Sequence, residues 1–446
     1  MTRLDATSIA LITTLLACAP APTLAQTPSS APTRAGISLE SLLEAADRGE
    51  TAPLVRALEV ETDPDVRALF RARLAAARFD PAIAQDPALV RLAEGGDPAL
   101  RRAALAVLTD VSFANSCYAQ AARFGETLAA QLAAAGRRED AEGAERTWRL
   151  AALLARYPGQ AVLGTKTPTT IAARTDQVGL QRIDIAVNGE IQEAVFDTGA
   201  NLSVLSAATA RRLGVAVLDA TTPVSNSVAG SVPVRVGVAR RVEIAGTVLT
   251  DVPFLVIDDA ALTFPVRGGY DIRAIVGLPL MRALGRVRME TGAGRFTVLP
   301  PAGPAGPPNL HASGSDLFVD TTIAGEAMPL HLDTGANRTL LGALYAQAHP
   351  ETVAALPAGS AASASAGGTL IARIATWAGA PLTVAGRRVP LAELPLTLPG
   401  GSEAERFYGA LGSNALGTFA SYTIDFAAMR LELGEPAADL PALTRD

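Results

Sequence analysis

Two carboxylates stand in the same five-residue setting. Asp197-Thr198-Gly199-Ala200-Asn201 and Asp333-Thr334-Gly335-Ala336-Asn337 are identical strings. A short apolar run precedes each, Glu193-Ala194-Val195-Phe196 and Pro329-Leu330-His331-Leu332. Another follows each, Leu202-Ser203-Val204-Leu205 and Arg338-Thr339-Leu340-Leu341. An acidic residue between hydrophobic segments, close to a glycine, reads as a carboxylate at a strand end on a tight turn. Two such loops facing each other bring two carboxyl groups to one place. Like charges that close cannot both ionise, so one keeps its proton. The charged member can take a proton from water while the protonated one gives its own to a carbonyl oxygen, and the pair titrates as a unit. This is hydrolysis without a metal or a covalent nucleophile. The near-identity of the loops leaves open which Asp is the base.

The duplication extends well beyond the five residues, and a repeat of this size dictates the architecture. Asn188-Gly189 ends eight residues before Asp197, and Ala324-Gly325 ends eight before Asp333. Ile275-Val276-Gly277-Leu278 and Ala410-Leu411-Gly412-Ser413 place a glycine 80 and 79 residues after the two Asp residues. Thirteen residues past those glycines stand Glu290 and Asp425, each leading into a strand-like run, Arg295–Leu299 and Met429–Leu433. Ala245-Gly246 and Ala385-Gly386 match as turns between strand candidates. The two halves are copies of one β-rich unit of about domain size.

The pattern resembles the retropepsin/pepsin superfamily of aspartic peptidases over about residues 178–435. The resemblance rests on Asp-Thr-Gly-Ala in both halves and on the apolar-apolar-Gly steps at Gly277 and Gly412. It implies a two-lobed fold with both lobes in one chain, and an endopeptidase whose dyad is Asp197 and Asp333. Thr198 and Thr334 are then expected to bond across the lobe interface. Gly199 and Gly335 allow the tight turns and aim their N–H groups at the carboxylates. The Gly277 and Gly412 steps are expected to support each Asp loop from behind. The first flap has no Tyr, a departure from pepsin that is compatible with retroviral-type members.

The remaining elements must position these loops. At 446 residues the chain is long enough for two or three domains. A net charge of −6 gives no basic footprint, so nucleic acid is not an expected partner. Residues 1–26 read as a secretory signal: Arg3, the apolar stretch Ile9 to Ala17, then small residues that suit cleavage after Ala25. A competing reading takes Leu15-Leu16-Ala17-Cys18 as a lipobox, with a lipid anchor on Cys18 as the sole tie to a membrane. Either reading sends the protein out of the cytoplasm, to a bacterial periplasm. Beyond Cys18 only Cys117 remains, so no intramolecular disulfide forms, and Cys117 is expected to be a small buried residue. No metal site and no cofactor are expected.

Residues 37–157 read as an α-helical domain. Leu39, Leu42, Leu43 and Ala46 recur at helical spacing. Asp63-Pro64, Asp80-Pro81, Asp86-Pro87 and Asp97-Pro98 look like helix starts, with Asp as N-cap and Pro at the first helical position. Ala119 to Leu154 resembles a helical hairpin of the tetratricopeptide or similar solenoid type, with a packed bundle as the alternative. From Leu180 the texture changes to alternation. The first lobe is expected over 178–299 and the second over 313–435, joined by the Pro/Gly linker 300–308. Ser225 to Val236 is the first flap candidate, with Ala229 and Gly230 at its tip. Ala361 to Ile374 is the second, with Gly367 and Gly368. The expected substrate is a peptide or unfolded protein; oligomeric state is open. A protein that keeps the fold only as a peptide-binding cleft, with the helical domain holding a partner, is the alternative to an active enzyme.

Overall fold

A computed structural model describes residues 37–164, 168–226, 230–264, 266, 268–303, 306–366, 368–399 and 406–437, with the backbone of 9–11 and 15–17. Most of the expected signal segment, including Cys18, and the tip residues Ala229 and Gly367 lie outside the described residues.

Seven helices come first: α1 Leu39–Asp47, α2 Thr51–Val60, α3 Pro64–Ala76, α4 Pro87–Glu94, α5 Pro98–Ala114, α6 Tyr118–Ala134 and α7 Arg138–Leu154. The four Asp-Pro steps start helical segments as their chemistry dictates. Asp63, Asp86 and Asp97 each accept two backbone N–H bonds at the starts of α3, α4 and α5, and Asp80 caps a single 3₁₀ turn. Helices α6 and α7 form a close antiparallel hairpin. Gly125 permits this, since a Cβ there would stand 2.8 Å from the Trp148 Cβ. Leu42, Leu54, Leu69, Phe70 and Leu108 fill a core of the helices' own.

Cys117 corrects an expectation. It lies in the turn between α5 and α6 and is exposed, because Tyr118, the next residue, takes the buried position and packs edge-on against Phe113.

The rest of the chain is mostly strand, folded as two lobes; one apolar cluster spans both, and a second packs the first lobe against Phe113, Tyr118 and Leu150 of the helical region. Four hairpin turns place two consecutive residues at positive φ: Asn188-Gly189, Ala245-Gly246, Ala324-Gly325 and Ala385-Gly386. That is the twist a two-residue hairpin needs, and it occurs at matched places in both lobes. In the first lobe, Ala274–Val276 lies parallel to the strand that ends at Phe196 and antiparallel to Ser203–Ser206. In the second, Gly409–Leu411 lies parallel to Leu330–Leu332 and antiparallel to Leu340–Leu341. The repeat is therefore topological as well as sequential.

The lobes also share a sheet, in which Arg286–Glu290 pairs with Tyr422–Asp425. Each lobe projects a long hairpin at the flap position. Ala216–Asn226 pairs with Gly230–Ile244 in one, and Ala358–Ser365 with Gly368–Ala378 in the other. Extended backbone at 9–11 and 15–17 lies against the outer edges of these two hairpins.

Candidate active site

Each Asp loop is held from behind by the glycine step of its own lobe. Asp197 N donates to Val276 O at 3.0 Å and Leu278 N to Ala200 O at 2.8 Å. In the second lobe Asp333 N donates to Leu411 O at 3.0 Å and Ser413 N to Ala336 O at 2.8 Å. The glycines are required by proximity, not by φ. A Cβ on Gly277 would stand 2.7 Å from Ala200 O, and one on Gly412 would stand 2.5 Å from the Arg338 carbonyl. Both obstacles are backbone, which cannot rotate away. We expect Gly412→Ala to destabilise the fold by about 2–3 kcal/mol, read as a lower urea midpoint with an unchanged slope.

The two loops meet tip to tip. Thr198 Oγ1 donates to Leu332 O at 2.6 Å and accepts from Thr334 N at 3.1 Å. Thr334 Oγ1 donates to Phe196 O at 2.8 Å and accepts from Thr198 N at 2.9 Å. Each hydroxyl thus clamps the opposite loop, and all four partners are buried in the lobe interface. The contact carries one carboxyl onto the other loop, since the Asp333 Cγ lies 2.7 Å from where a Cβ on Gly199 would stand. Asp197 and Asp333 are both fully buried. Within its own loop, Asp197 Oδ1 accepts from Gly199 N at 2.8 Å. Asp333 Oδ1 accepts from two amides, Gly335 N at 3.0 Å and Ala336 N at 2.9 Å.

Residues 183–280, which include Asp197 and the Gly277 step, match the family model described as aspartyl protease. That match lies in the first lobe, so residues 183–280 are what is similar to the aspartyl protease family. Among solved structures, it is similar to a retropepsin-like aspartic protease from Rickettsia conorii. The identity is 16%, over 32% of this chain and 95% of that one, with a TM-score of 0.23. No curated protein matches the chain.

The six motif residues come together in one place: Asp197, Thr198, Gly199, Asp333, Thr334 and Gly335. Gly230 and Gly368 each open the returning strand of a flap hairpin. His331 stands apart from the dyad despite its closeness in sequence. It is buried, stacked at 5.2 Å on Phe407, with Nε2 3.7 Å from Asp316 Oδ1. Among the described residues no cluster of His, Cys, Asp and Glu has the makings of a metal site.

Three site residues escaped the reading of the sequence. Ser203 and Thr339 lie six residues after each Asp, and their hydroxyls accept from Gly277 N and Gly412 N, both at 3.0 Å. The matched offset of two hydroxyl residues is the signal that could have found them. Asn201, the fifth residue of the repeated string, is 1% exposed, and neither its amide oxygen nor its amide nitrogen has a hydrogen-bond partner. A buried amide with both ends unsatisfied is costly and is the kind of group that a buried water would satisfy.

Proposed function

We propose that this protein is an aspartic endopeptidase that hydrolyses peptide bonds between Asp197 and Asp333. The observation that carries the reading is the reciprocal threonine clamp, which seats the Asp333 carboxyl against Gly199 of the other loop. Two carboxyls on loops so clamped share one proton. The ionised member removes a proton from a water molecule, whose oxygen attacks the peptide carbonyl carbon. The protonated member gives its proton to the carbonyl oxygen, forming a neutral gem-diol. On collapse the newly ionised carboxylate takes a proton from one gem-diol hydroxyl while the other carboxyl gives its proton to the leaving nitrogen, so the C–N bond breaks and the pair again holds one proton. The rigid loops hold the carboxyls in place before substrate arrives, so little reorganisation accompanies the reaction.

The substrate is an extended peptide segment. The outer edges of both flap hairpins accept extended backbone, since residues 9–11 and 15–17 lie along them in strand pairing. Export to a bacterial periplasm is part of the same reading and rests on the sequence of residues 1–26.

The test is digestion of a denatured protein mixture by the chain lacking residues 1–26, from pH 3.5 to 7.5, with cleavage read by mass spectrometry. Cleavage that is abolished in either dyad variant supports the reading. A well-folded wild type that cuts nothing, with or without residues 27–160, overturns it in favour of a peptide-binding protein.

A further inference from the structure

The helical domain is joined to the second lobe through a partly buried group of ionisable side chains that takes no part in the dyad. Arg73 of α3, 5% exposed, lies at the centre. Its guanidinium donates to Ala46 O, to Asp47 Oδ1 at the end of α1 and to Ser313 Oγ of the second lobe, all at 2.9 Å. A weaker bond at 3.4 Å reaches Ala312 O. Opposite, Arg406 bonds Asp316 Oδ2 at 3.4 Å, and His331 approaches the other Asp316 oxygen. Between these stands Asp110 of α5. It lines a small cavity together with Arg73, Phe79, Asn115 and Gly314, and its Oδ2 lies 3.5 Å from a Cβ position on Gly314. Its carboxyl has no hydrogen bond among the described residues.

Three carboxyls therefore face two guanidiniums across a domain boundary. With Asp110 ionised, the carboxyls and guanidiniums together carry one uncompensated negative charge. With Asp110 protonated they balance. Burial and the neighbouring Asp47 and Asp316 push Asp110 up to about 7, against the opposing pull of Arg73 and Arg406. Of the other polar contacts between the helices and the lobes, one involves an imidazole, with Thr51 Oγ1 3.5 Å from His311 Nδ1; two others do not depend on a group that titrates near neutrality. Ala312 N donates to Ala77 O at 2.8 Å, and Arg282 donates to Ala114 O and Asn115 Oδ1 while lying 3.8 Å over the Phe79 ring.

We propose that Asp110 is a proton-operated latch that tightens the helical domain onto the second lobe as pH falls through neutrality. A carboxyl whose pKa is higher when docked than when released binds more protons in the docked state. Docking is therefore strongest well below pH 7 and weakens as pH rises towards 7. If the dyad works in mild acid, as the proposed function implies, the helical domain stays in place while it does so. It is then a fixture of the working molecule rather than a segment that acid expels.

The test reads docking, not activity, so it stands apart from the proposed function. Amide hydrogen exchange of the 310–318 segment is followed in the full chain at pH 5.5 and 8.5, corrected for the intrinsic rate, for wild type and Asp110→Asn. The Ala312 amide, bonded across the boundary, is expected to lose at least tenfold of its protection at the higher pH in the wild type. In Asp110→Asn, which is neutral at both pH values, protection is expected to stay constant. Asp110→Ala serves if the amide is poorly accommodated. Wild-type protection that is constant or rises with pH overturns the latch, as does a parallel loss in either variant.

Discussion

Asp197→Asn and Asp333→Asn are each expected to lower kcat on a cleavable peptide by about 10⁴-fold, and the double variant is expected to be no slower than either single one. Asparagine keeps an oxygen where Oδ1 accepts the loop amides, Gly199 N in one loop and Gly335 N and Ala336 N in the other. The clamp and fold should therefore survive, with a melting temperature within a few degrees of wild type. What is lost is the exchange of roles. A single carboxyl beside an amide can be base or acid at one moment but cannot hand a proton to its neighbour. Steady-state kinetics near the wild-type optimum, with circular dichroism as a check on folding, decide the matter. If each single variant retained about half the activity, the lobes would be working independently, and the shared dyad would be wrong.

How much of this was legible in the sequence depends on the range of the interaction. The Asp-Pro helix starts, the four hairpin turns and the loops at Asp197 and Asp333 are set by residues a few positions apart, and all lie where their local chemistry puts them. The Gly277 and Gly412 steps are long-range, yet they could be read because the duplication shows each offset twice. The boundary between the helices and the second lobe has no such duplicate. Asp47, Arg73, Asp110, Asp316 and Arg406 come from five separate places, and nothing local marks any of them as buried or paired. Asn201 was in plain view as part of the repeated string, but an unsatisfied amide is a property of surroundings, not of spacing. Cys117 failed for the same reason. The composition prior for cysteine favours burial, and a turn between two helices overrode it.

Thr198→Val is expected to be the most destabilising conservative change near the site, at about 4 kcal/mol. Valine has the shape of threonine, so the packing is preserved and only the hydroxyl is lost. Its removal orphans Leu332 O and Thr334 N together, both sealed in the lobe interface. A buried group without a partner costs about 1–3 kcal/mol, and here there are two on the opposite loop. Thr198→Ser keeps the oxygen and sacrifices only a methyl group, so it should cost about 1 kcal/mol. Chemical denaturation monitored by tryptophan fluorescence gives both values. The reciprocal variant Thr334→Val orphans Phe196 O and Thr198 N in the same way. If the two hydroxyls act as one clamp, the double variant should cost clearly less than the two singles added together, because the first loss already opens the interface. Strict additivity would instead mean that the loops are positioned by their glycine steps alone. In that case Thr198→Val should leave kcat untouched, whereas a true clamp lets the carboxyls drift apart and kcat falls along with stability.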